Sequence, residues 1–139
     1  MTQDEALQQA ADFLDQRFGL ETLWLFGSEA QGTSRPDSDL DLGALLTRRP
    51  STLERLDAQT ELAEVVRRPV DLVDLDAASP ILGMQVLKHG RLLTDRNPQR
   101  RYASFSRTLS MYEDLKILRR EAERSLLERF RRGASRDRS

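Results

Sequence analysis

Asp37, Asp39 and Asp41 stand at alternate positions in the stretch GSEAQGTSRPDSDLDL, residues 27–42, directly after the apolar run LWLF at 23–26. Carboxylates this close repel one another, and each resists ionisation unless a cation sits among them. Read as a strand, the segment from Asp39 projects Asp39 and Asp41 to one face while Leu40 and Leu42 enter a packed side. Two parallel carboxylates make a hard oxygen site. Magnesium suits it, because the ion takes one or two carboxylates, keeps several waters and completes its shell with substrate phosphates. The expected cation is therefore a metal carrying a nucleotide. Asp37 follows Pro36 and reads as a turn residue.

Asp71 is the candidate third ligand, since PVDLVDL at 69–75 reads as a separate strand able to pair beside the first; Asp74 falls on its other face. Three carboxylates can hold two metals, one activating an attacking oxygen and one stabilising a leaving pyrophosphate. Gly27 and Ser28 supply the remaining piece. A glycine after a strand permits close approach of a phosphate, and the serine hydroxyl with the N–H groups of a helix start donates to it. Ser38 either orients the acidic turn through a backbone hydrogen bond or is a plain loop residue.

These residues need elements to position them. Thr2 with Glu5 forms a capping box, followed by Ala6, Leu7, Ala10, Ala11, Leu14 and Phe18 at helical spacing, with Gly19 as the stop. LWLF predicts a buried strand, a short helical turn is expected over Glu29 to Gln31, and DLDLGALL at 39–46 predicts a central strand. Ser51 with Glu54 opens a second helix whose expected core stripe is Leu53, Leu56, Leu62, Val65 and Val66. Ser79 and Pro80 open a third, carrying Ile81, Leu82, Met84, Val86 and Leu87 up to Gly90, and RLLT after it suits an edge strand. From Pro98 a long helix carries Phe105, Leu109, Tyr112, Leu115, Leu118, Ala122, Leu126 and Phe130, too many apolar positions for a solitary exposed helix. It either packs back on the sheet or meets a partner. The expected fold class is α/β (α+β): a small mixed sheet backed by helices, with a long C-terminal helix.

Composition narrows the chemistry. The 139 residues suit one domain; the absence of cysteine excludes a thiolate nucleophile and sulfur-based zinc, and a single histidine excludes a His-rich metal site. A net charge of −1, from 22 basic and 23 acidic residues, argues against a broad nucleic-acid surface, although arginine accumulates in the last third. No apolar run approaches the roughly 20 residues that span a bilayer, and the polar N-terminus is unlike a signal peptide, so a cytoplasmic location is expected.

The ordered set of Gly27-Ser28, a spacer of about ten residues, Asp39-x-Asp41 and a later VDLV resembles the nucleotidyltransferase superfamily that includes DNA polymerase beta. It more closely resembles the minimal nucleotidyltransferases of prokaryotes, over roughly residues 5–130, including GTSRPDSDLDL, RRPVDLVDL and VLKHGRLLTDR. The resemblance implies a polymerase-beta-like nucleotidyltransferase fold, with the core expected over residues 1–97; the helical pattern after Pro98 gives an extension over 98–132, and the small, polar GASRDRS at 133–139 reads as a disordered tail. It also implies ATP as substrate and triphosphate binding by Gly27 and Ser28. By the same resemblance two magnesium ions would be held by Asp39, Asp41 and Asp71, with Asp71 also the candidate base toward an acceptor hydroxyl. Some such proteins are similar to antitoxins that silence a HEPN-domain ribonuclease toxin by transferring AMP to a toxin tyrosine. Relatives often carry arginine where this chain has Glu29 and Gln31, and Arg35 is a possible substitute.

Two other functions fit parts of the sequence. A nucleotidyltransferase acting on a small hydroxylated compound would usually need an added substrate-covering domain, and a purely binding antitoxin would use the apolar, arginine-rich C-terminal helix. His89 fits a helix C-terminus better than a catalytic position, and Trp24 fits the core. Tyr102 and Tyr112, spaced with Phe105 and Leu109, suit packing better than acceptance of AMP.

Overall fold

The computed structural model describes residues 1–27 and 39–136. In chain order the elements are α1 (Gln3–Phe18), β1 (Leu20–Phe26), β2 (Leu40–Leu46), α2 (Thr52–Val66), β3 (Val70–Asp74), α3 (Pro80–His89), β4 (Arg91–Asp95) and α4 (Pro98–Arg136). Both predicted capping boxes form: Thr2 with Glu5 at the start of α1 and Ser51 with Glu54 at the start of α2. Each satisfies backbone N–H groups that the first helical turn leaves without partners. The turn expected over Glu29 to Gln31 lies outside the described residues.

The strands form one mixed sheet in the order β3-β2-β1-β4. β1 pairs antiparallel with β2 and β4, whereas β2 and β3 run parallel, joined through α2. Parallel neighbours need such a crossover, because no tight turn can return a chain to the same end of the sheet. RLLT does form an edge strand, extended by Asp95.

Side-chain alternation divides the core. Leu23 and Leu25 of β1, Leu40, Leu42, Ala44 and Leu46 of β2, and Val70 and Leu72 of β3 pack with α1 and α2 in the larger cluster. Trp24, Leu45, Leu75 and Val86 form a smaller cluster on the opposite face, under α3. Trp24 is core, as expected.

Two helices turn differently from the sequence expectation. In α2 the buried positions are Ala58, Leu62 and Val66, while Leu53, Leu56 and Val65 are exposed. Spacing of four fixes the inward stripe through residue 62, and Leu53 then falls on the opposite side of the helix. In α3, Ile81 is exposed and Gly83, Met84 and Val86 are buried.

α4 has 39 residues and so extends about 58 Å. It continues to Arg136, past the predicted boundary at 132. Its start is fastened by Asn97, whose Oδ1 accepts from the Arg100 N–H, by ion pairs from Arg100 to Glu21 and Asp76, and by Arg101 to Asp95. Beyond this it packs on α3 with a small polar stripe. Ser104 and Thr108 are half-buried, and a Cβ on Gly83 would stand 2.9 Å from the Thr108 Cγ2. Phe105, Leu109, Leu115, Leu118, Leu126 and Phe130 are all exposed. Among the described residues no helix is long and apolar enough to cross a membrane.

Candidate active site

The acidic residues gather at one end of the sheet through strand register. Phe26 is the β1 neighbour of Asp41, and Asp41 is the β2 neighbour of Asp71 on β3. Laterally paired residues on adjacent strands project to the same face, about 4.8 Å apart. The structure thus brings Asp41 and Asp71 side by side. Asp39 immediately precedes β2 and by alternation shares the face of Asp41. Asp39 and Asp71 are exposed and Asp41 is half-buried. Below the acidic row, Leu40 and Leu42 are wholly buried and anchor the strand that carries it.

Gly27 closes the β1 side of this row. Its backbone has φ of 72°, and a Cβ built there would stand 2.2 Å from Oδ2 of Asp41. The missing side chain is what lets the Asp41 carboxylate lie over the turn. Ser28 and Ser38, with Glu29, Gln31, Arg35 and Asp37, lie outside the described residues.

The donor set is oxygen only, which fits magnesium. Among the described residues no three metal-ligating side chains converge closely enough to enclose an ion. Register aligns Asp41 with Asp71, and the Asp41 carboxylate sits against Gly27.

Asp74 lies apart from the site, buried toward the other face as expected. Burial holds its carboxyl above the usual carboxylate range, against the lowering effect of the hydrogen bond that its Oδ1 accepts from the Asp76 N–H.

The free edge of β3 shows two residues that the sequence reading did not single out. Arg55 donates from Nη1 to the Leu72 carbonyl, and the Leu72 N–H donates to Oε1 of Gln59, both at 2.9 Å. These α2 side chains satisfy edge groups that would otherwise invite another strand. Their signal was available: polar residues four apart, flanking the Ala58 and Leu62 stripe. Next to Asp71, between α2, β3 and the start of α3, lies a cavity of about 370 Å³.

The remaining candidates fall elsewhere. His89 occupies the last turn of α3 with Lys88 and is exposed. Tyr112 is half-buried beside Lys88 and Lys116. Tyr102 does not pack as expected: it is exposed, with the Arg101 guanidinium 4.5 Å from its ring centroid. α4 turns Ser104 and Thr108 toward α3, which rotates Tyr102 outward.

Comparison with known proteins agrees with this geometry. The polymerase beta nucleotidyltransferase domain matches residues 8–99. Protein adenylyltransferase MntA of Shewanella oneidensis is 34% identical over 100 residues, spanning 72% of this chain and 71% of that protein. A chain of a toxin-antitoxin crystal structure with AMP-PNP superposes with a TM-score of 0.77 at 28% identity, covering 91% of this chain and 99% of the other. A chain from a tri-AMPylated Shewanella oneidensis HEPN toxin in complex with MNT antitoxin gives a TM-score of 0.74 at 26% identity, with coverage of 91% and 99%. With its acidic row, its Gly27 turn and these similarities, the chain belongs to the polymerase beta nucleotidyltransferase family.

Proposed function

We propose that this chain is a metal-dependent protein adenylyltransferase that transfers AMP from ATP to a tyrosine of a partner HEPN ribonuclease toxin, acting as an antitoxin in the cytoplasm. The observation that carries the reading is the register of Asp41 beside Asp71, with Gly27 against Asp41. Similarity to an adenylyltransferase and to antitoxin chains solved with HEPN toxin and with AMP-PNP supports it.

Each residue then has a task. Gly27 and Ser28 receive the triphosphate, Gly27 through close backbone approach and Ser28 through its hydroxyl. Asp39, Asp41 and Asp71 would hold magnesium, with Ser38 orienting the turn before Asp39. Magnesium, when bound, offsets charge on the phosphates and on the leaving pyrophosphate. Asp71 faces the acceptor and takes the phenolic proton as the tyrosine oxygen attacks the α-phosphorus. One P–O bond forms to the tyrosine, the bond from the α-phosphorus to its bridging oxygen breaks, and pyrophosphate leaves. Holding acceptor and donor in line supplies much of the rate.

The test is the intact mass of the HEPN partner after incubation with this protein, ATP and magnesium, beside an Asp39→Asn/Asp41→Asn control. One or more adenylyl additions, absent in the control, are expected. The exposed apolar stripe of α4 favours a second reading, neutralisation by binding alone. Full neutralisation by the double variant, with no mass gain from the unaltered protein, would establish that reading instead.

A further inference from the structure

We infer that the cavity beside Asp71 receives the acceptor tyrosine, which enters over Ala77 and Leu82; the inference rests on the adenylyltransferase reading above. Across the sheet the order is Gly27 at the end of β1, Asp41 on β2, Asp71 on β3, and then the cavity. An in-line displacement at phosphorus needs the attacking and leaving oxygens on opposite sides. Gly27, where a side chain is excluded by Asp41, marks the phosphate side, so the attacking hydroxyl arrives from beyond Asp71.

The cavity lies there, and its walls suit a phenol. Val73, Ala77, Ala78 and Leu82 give an apolar surface for the ring beside the polar Thr52 and Asp74, and Asp71 borders the same space. At about 370 Å³ it falls in the usual range for a ligand pocket and has room for an aromatic side chain with part of its backbone. Arg55 borders the same space with its guanidinium already fixed on the Leu72 carbonyl, so the wall is formed before the acceptor arrives. A short aliphatic hydroxyl would leave the apolar wall unfilled. The pocket therefore selects tyrosine over serine or threonine.

Ala77 is exposed, so an indole can be added there without disturbing the core. Ala77→Trp should lower kcat/KM for AMP transfer to the HEPN partner at least tenfold. Its affinity for a non-hydrolysable ATP analogue, its association with the partner on gel filtration and its melting temperature should stay unchanged. Asp57→Trp, which places the same ring on the exposed side of α2, serves as control and should transfer normally. Transfer by Ala77→Trp within twofold of the unaltered protein would overturn the pocket. So would joint loss of transfer and association, which would make Ala77 part of a docking surface. A chain that adenylylates no HEPN partner even without substitution would instead remove the reading beneath it.

Discussion

Gly27 and Asp41 occupy space that only a glycine leaves free: a Cβ at position 27 would stand 2.2 Å from Oδ2 of Asp41. The contact joins the end of β1, expected to meet phosphate, to the β2 carboxylate expected to meet metal. Two independent demands, positive φ and absence of a side chain, fall on one residue.

Gly27→Ala should therefore impair both stability and catalysis. Backbone strain at positive φ predicts a loss of about 1 kcal/mol by urea denaturation. Displacement of Asp41 by an ångström or so predicts AMP transfer reduced about 100-fold. Transfer at the original rate would show that the carboxylate position is not critical.

Asp74 makes stability depend on pH in a particular sense. Its folded carboxyl binds a proton more tightly than an unfolded one, whose pKa is near 3.8. As pH rises from 3.8 through the folded value, the unfolded chain has already released the proton, so stability falls and then levels off. Asp74→Asn keeps an oxygen for the Asp76 N–H and removes the buried charge. Thermal melts should show it a few degrees more stable than the parent at pH 7, with the gain disappearing below about pH 4.

Arg100 fastens the first turn of α4 to β1 through Glu21 and to the β3–α3 connection through Asp76. All three side chains are largely shielded, so Arg100→Ala leaves two carboxylates short of a partner. The expected loss is about 1–2 kcal/mol by denaturant titration. No change would mean that the Asn97 cap and the Arg101–Asp95 pair suffice to hold the helix start.

Every residue from Ile117 to Ala134 is exposed. Ending the chain after Lys116 should consequently leave the melting temperature within about 2 °C, because no buried contact is removed. Association with the HEPN partner should weaken when Leu118, Leu126 and Phe130 are lost. Calorimetric titration against the partner checks the second half, and unchanged affinity would assign the stripe no role in binding.

Much of this protein was legible in its sequence. The capping boxes, the strand that presents Asp39 and Asp41, and the leucines beneath them follow from bonds and periodicities within a few residues, which local chemistry decides. The shared face of Asp39 and Asp41 was readable for the same reason, since alternation alone decides it. Tertiary structure decided what depends on distant segments meeting. The parallel register of β2 and β3 makes Asp71 the neighbour of Asp41. Arg55 and Gln59 matter because β3 is an edge strand, a fact of sheet order that no local pattern encodes. The rotation of α4 was equally hidden. Its sequence offers Phe105 and Leu109 as the obvious packing face, yet close approach to Gly83 admits only side chains as small as Thr108, and the larger apolar residues turn outward.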